Sequence, residues 1–196
     1  MPVGSDSAEP ADAAPDIDPQ EQQPDADPEQ VARLILLRRL EAAPRTRGEL
    51  AATLKQRGVP TDVAQRVLDR FVEVGLIDDT LFAQMWVQSR QSGRLLSRRA
   101  LRQELTRRGI GAEDTESALT GVSDEQERAA ARRLAQRKSR ATEGLPNPVR
   151  VRRLVGALAR RGYSAGLAHA VVHEVRADEG LPAEADDWEP IDSPGG

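Results

Sequence analysis

The sequence contains no cysteine. Without a thiol it can build neither a disulfide framework nor a thiolate metal site, and such a composition fits a reducing compartment. Aromatic residues are scarce, with two Trp, two Phe and one Tyr, which leaves few rings on which nucleic-acid bases could stack. Histidine occurs twice, as His169 and His173. Leu167, Val171, Val172 and Val175 mark the apolar face of that helix, so both imidazoles fall on the opposite side. No third ligand accompanies them, so no metal site is expected. Apolar runs such as Leu34–Leu37 fall far short of the roughly 20 residues that cross a bilayer. The first residues also lack the basic start and apolar core of a secretory leader. The expectation is a soluble, cytoplasmic protein with no membrane partner.

Catalytic signatures are missing too. There is no phosphate-cradling Gly-Lys-Thr loop, no zinc-protease helix motif and no cysteine nucleophile. The adjacent acids Asp78 and Asp79 precede the apolar pattern Leu81, Phe82, Met85, Trp86, where a helix needs an N-cap. Asp78 is therefore read as a structural cap and Asp79 as a partner of the helix dipole. Phe82 and Trp86 are read as core. The chain is expected to be no enzyme and to carry no cofactor and no metal.

What is present is charge, unevenly placed. Residues 1–30 hold nine acids and no base, and residues 177–196 hold seven acids and no base. All 28 Lys and Arg therefore face the remaining 16 acids in residues 31–176, a net of +12. A basic body between acidic ends is the asymmetry of a polyanion binder. Residues 1–30 also carry six of the thirteen prolines and too little apolar surface to offset ordering entropy. They are expected to be disordered, and so is the acidic stretch 178–196 with its lone Trp188. These acidic ends either compete for the basic body or serve as solubilising linkers.

Between them the pattern is helical throughout, rich in Ala, Leu, Arg, Glu and Gln. Nine helices are predicted, at about 30–43, 47–57, 61–74, 78–92, 97–108, 112–121, 124–138, 148–161 and 164–177. Thr46 with Glu49 and Ser123 with Gln126 fit capping boxes; Asn147 before Pro148 fits an N-cap. One template recurs three times, in LAATLKQRGV, LRQELTRRGI and LVGALARRGY, with its glycine at 58, 109 and 162. This period marks a structural repeat. Gly58, Gly109 and Gly162 suit the left-handed position after a helix, with the following apolar residue folded back on the last Leu. The fold class is all-α: three tandem three-helix repeats at 31–76, 77–122 and 123–177, in an elongated, curved array.

Duty at helix C-termini explains Arg108 and Arg161, but it does not explain the other arginines. Seven arginines lie between Arg90 and Arg108, against the single acid Glu104. Arg94, Arg98 and Arg102 would align on a continuous helix. Arg98, Arg99 and Arg102 sit near a helix start, where positive charge is mildly unfavourable, so unpaired cations there point to an external anion. The candidate contact set is Arg94, Arg98, Arg99 and Arg102, supported by Arg132, Arg133, Arg152 and Arg153. With few aromatics, any nucleic-acid contact would be with backbone and independent of sequence.

GLIDDTLFAQMWVQSR (Gly75 to Arg90), followed by SRRALRQELTRRGI (Ser97 to Ile110), resembles the central signature of the bacterial RecX proteins. The match is specific over these segments, and the helical layout extends it to 31–176. The resemblance implies tandem three-helix units that bind the RecA recombinase filament on single-stranded DNA and inhibit its ATPase and strand-exchange activities in recombination and repair, acting as a monomer. The alternative is a sequence-independent or helix-turn-helix-like DNA-binding protein with no recombinase partner.

Overall fold

The computed structural model describes residues 27–180. Among them are nine α-helices, one short 3₁₀ turn and no strand. The first trio is α1 (Pro28–Ala42), α2 (Arg47–Gln56) and α3 (Thr61–Glu73). The second is α4 (Asp79–Arg94), α5 (Arg98–Arg107) and α6 (Ala112–Thr120); the third is α7 (Asp124–Ser139), α8 (Asn147–Ala159) and α9 (Ala165–Asp178). Helices pack chiefly within their own trio, giving three separate cores around Leu36, Leu50 and Phe71, around Leu101, Leu105 and Leu119, and around Leu154, Leu158 and Val171. Each trio is too small to bury much surface alone, which makes the joints between them important.

The acidic ends lie largely outside the described residues. Those parts that are described belong to the helices. Asp27 caps α1 by accepting from the Glu29 amide at 3.0 Å, and Asp178 and Glu179 bind the third trio through Arg132 and Arg150.

Local chemistry sets the helix ends. Both capping boxes are complete, Thr46 with Glu49 and Ser123 with Gln126. Asp78 caps α4 by accepting from the Leu81 amide at 2.7 Å. Asn147 is not the cap of α8: Pro146 takes that place, and Asn147 is the first helical residue. Gly58, Gly109 and Gly162 have φ of 72°, 79° and 89°. After each, an amide returns to the last Leu carbonyl: Val59 to Leu54 at 3.1 Å, Ile110 to Leu105 at 3.1 Å and Tyr163 to Leu158 at 3.3 Å. This closes the helix end while turning an apolar side chain into the core.

The template also forms the joints. Thr46, the cap of α2, donates its Oγ1 to the Arg108 carbonyl at 2.5 Å, and the next amide, Arg47, donates to Asp79 at the start of α4 at 2.9 Å. At the second joint the Ser97 amide donates to the Arg161 carbonyl at 3.0 Å, and the Arg98 amide to Glu127 of α7 at 3.0 Å. In both cases the N-terminus of a middle helix enters the Arg-Gly end of the next trio and finds an acid on that trio's first helix. Four orphan amides at each helix start need partners; here a neighbouring trio supplies some of them.

The second joint has an extra latch. Leu95 adopts a left-handed conformation at φ 52°, the only non-glycine to do so among the described residues. Its side chain is buried in the third trio's core, while Leu96 is buried in the second. The Tyr163 hydroxyl donates to the Leu95 carbonyl at 2.9 Å. Burial holds the phenol's pKa well above its usual range, and the negative charge of Glu127 acts in the same direction.

Candidate nucleic-acid interface

The turn at Leu95 changes the arginine geometry that the spacing suggests. Because α4 ends at Arg94 and α5 begins at Arg98, no continuous helix aligns Arg94, Arg98 and Arg102. Arg94 stands exposed at the end of α4, its carbonyl accepting from the Arg161 guanidinium at 2.6 Å. Arg98, Arg99 and Arg102 do converge. With Glu127, Gly162, Ser164 and Leu167 they line a hollow of about 310 Å³ at the second joint.

That hollow is not a bare cationic site. Arg98 pairs with Asp124 at 3.1 Å, and Arg102 grips Glu116 through two hydrogen bonds of 2.6 and 2.9 Å. This hydrogen bonding lowers the Glu116 pKa and raises that of Arg102. The premise that Arg98 and Arg102 are unpaired is therefore corrected: α6 and α7 carry their counter-ions. Of the three, Arg99 is exposed and has no ion-pair partner among the described residues.

The supporting arginines divide in the same way. Arg132 turns toward α9, pairing with Asp178 and Glu174; Arg133, one residue on, is exposed. Arg150, part of the same basic run in sequence, is buried and bonded to Ser139, Thr142 and Glu179. Arg152 and Arg153 face outward and line a second hollow, of about 470 Å³, with Lys138 of α7 and Arg160. Four cations and no acid border this hollow, and none of the four has an ion-pair partner among the described residues. Lys138 and Arg160 lie on either side of a long connection in sequence, so their approach depends on how α7 packs on α8.

Such a surface suits the sugar-phosphate backbone. Guanidinium groups bind phosphate oxygens in pairs, and exposed cations without internal partners release counter-ions when a polyanion arrives. Trp86 offers no stacking platform. The Arg90 and Arg108 guanidinium carbons lie 3.9 and 3.7 Å from its ring centre, and its Nε1–H donates to Glu104 at 2.9 Å. Phe82 stacks on it, with 5.7 Å between ring centres. These rings are half-buried against the second core rather than inside it, which corrects the reading of both as core. Nothing among the described residues gathers three potential metal ligands; His169 is half-buried and His173 exposed. No described helix is long and apolar enough to cross a membrane.

Comparison with known proteins follows the three trios. Family models for the first, second and third three-helix domains of RecX match residues 32–71, 78–119 and 124–172. A regulatory protein RecX of Thermobifida fusca is 52% identical over 153 residues, spanning 78% of this chain and 83% of the relative. The chain belongs to the RecX family. A RecX of Streptomyces coelicolor is 50% identical over 153 residues, covering 78% of this chain and 81% of its own. A crystal structure of a regulatory protein RecX superposes with a TM-score of 0.66 at 25% identity, over 76% of this chain and 72% of that one. The RecX relatives are regulatory proteins by name, and the all-α tandem-repeat fold is theirs.

Proposed function

We propose that this RecX chain restrains the RecA recombinase filament on single-stranded DNA, lowering its ATPase and strand-exchange activities, as an accessory protein without chemistry of its own. The observation that carries this reading is the family match in all three trios. The exposed, acid-free cation cluster of Lys138, Arg152, Arg153 and Arg160 supports a phosphate contact, with Arg99, Arg94 and Arg133 as further exposed cations nearer the second joint. Arg98, Arg102 and Arg132 contribute once an incoming phosphate displaces their carboxylates. Such exposed pairs are weak enough to exchange.

The test is single-stranded-DNA-dependent ATP hydrolysis by the cognate recombinase on preformed filaments, titrated with this protein. Suppression at substoichiometric amounts is the expected result. An unchanged rate, with tight binding to naked DNA instead, would overturn the proposal in favour of a plain DNA-binding protein.

A further inference from the structure

The large apolar side chains left in solvent among the described residues are Leu34, Leu37, Val72, Val74, Leu76, Leu81 and Met85. All lie in the first trio or at the start of α4, and none lies in the third trio, where the unpartnered cations gather. Apolar and basic surfaces are thus segregated along the array. Monomers rarely leave contiguous apolar surface exposed without a use for it.

At the first joint Leu76, Leu81 and Met85 of this set line a groove of about 530 Å³. One wall is Leu40 near the end of α1 with Ala43 and Pro44 just beyond it. The other is α4, whose Leu81 and Met85 lie one turn apart with Phe82 and Trp86 beside them, and Leu76 closes the end. Leu76, Leu81 and Met85 remain 49%, 52% and 57% exposed. The lining carries two cations, Arg45 and Arg108, against one acid, Asp78, whose carboxylate is engaged by the Leu81 amide. Arg108 is held by Glu49, but Arg45 reaches Glu49 only at 4.0 Å, and its Nε is buried with no hydrogen-bond partner. The Arg45 side chain keeps 38% of its area in solvent, so a carboxylate on the occupant can pair with its guanidinium from the groove.

We infer that this groove is the protein-docking face of the chain and receives one amphipathic α-helix of a filament protomer, apolar along one stripe and acidic at its flank. The inference rests on the filament reading above and divides its contacts: recombinase at the first joint, phosphate at the third trio. An apolar helix in such a groove is anchored by its own residues at i, i+3 or i+4, and i+7, and here Leu76, Leu81 and Met85 are the exposed side chains on which they would pack. A nucleic acid is the poorer fit, because the Trp86 ring is already engaged by Arg90, Arg108 and Phe82 and the exposed side chains beside it, Leu76, Leu81 and Met85, are aliphatic. The chain's own outlying segments fit poorly too. Residues 181–196 are interrupted by Pro182, Pro190 and Pro194, and residues 1–26 offer only Met1, Val3 and Ile17 as large apolar groups.

Two measurements test it on the full-length chain. The first compares the parent with a Leu81→Glu/Met85→Glu variant, both sites being exposed, after matching their helical content and melting temperature. The variant should lose at least tenfold in affinity for recombinase-coated single-stranded DNA, while its affinity for a naked oligonucleotide stays within twofold. The second places a benzophenone amino acid at position 85 and irradiates the complex with filaments. The crosslink should map to a recombinase helix that carries an acidic residue. Crosslinks to DNA, to a second copy or to residues 1–26 or 181–196 would overturn the docking assignment, as would a variant that still suppresses ATP hydrolysis like the parent. If the parent itself leaves hydrolysis unchanged, the filament reading and the docking site fall together.

Discussion

A Cβ added to Gly48 would stand 2.9 Å from the Cα of Gly109 and 3.0 Å from the Arg108 carbonyl oxygen. The two backbones therefore meet where the first trio joins the second, and neither residue has room for a side chain. Gly48 has no positive φ, so steric room alone requires it to be glycine. Alanine at 48 would improve helix propensity by about 1 kcal/mol yet force the joint apart. Net destabilisation of about 1–3 kcal/mol is expected, as for other overpacked contacts. Hydrogen exchange should quicken at the Arg47 amide and the start of α4 while the third trio is unchanged.

The three template glycines allow an internal control. Gly58 and Gly109 have similar φ, but the space around Gly58 is open. Gly58→Ala should cost about 1 kcal/mol for the left-handed backbone, and Gly109→Ala should cost more. Equal losses in chemical denaturation would mean that the joint contact adds nothing to the cap.

Tyr163 makes the second joint sensitive to alkali. Its folded pKa is raised, chiefly by burial, while the unfolded phenol titrates near 10. Stability from the protonated phenol is fully present below about pH 10. It is lost as pH rises beyond that toward the folded value, because only the unfolded chain releases the proton. As this is the sole tyrosine, its ionisation can be followed directly by ultraviolet absorbance. Tyr163→Phe should be less stable at neutral pH, having lost the bond to the Leu95 carbonyl, and should show a flatter stability profile above pH 10.

Glu116 competes with phosphate for Arg102. Glu116→Gln removes the carboxylate that the guanidinium grips through two bonds. Binding of a single-stranded oligonucleotide at low salt should tighten by roughly two- to fivefold, the scale of an exposed pair. Unchanged or weaker binding would remove Arg102 from the contact set.

The basic hollow of the third trio should govern salt dependence. Single strands contribute a log–log slope of about −0.7 per neutralised phosphate. Replacing Lys138, Arg152, Arg153 and Arg160 by alanine should therefore make the slope for oligonucleotide binding shallower by about 3. Melting temperature should scarcely change, since all four side chains are exposed.

The helices and their glycine ends were legible in the chain because the forces that set them act over a few residues. Asp78 reaches the Leu81 amide, and Ile110 returns to Leu105, with no help from the rest of the molecule. The partition of the cations was not legible in this way. Arg98 meets Asp124 and Arg132 meets Asp178 across 26 and 46 residues, and no periodicity encodes such a meeting. The same limit hid the second role of the repeated Arg-Gly: it reads as a helix stop, and it is also the socket for the preceding trio. The apolar groove arises likewise, from α1 and α4 approaching across a joint. Backbone hydrogen bonds are local and print themselves on the sequence as caps and spacings. Ion pairs, joints and grooves depend on which surfaces packing brings together, and that is settled by burial summed over the whole chain.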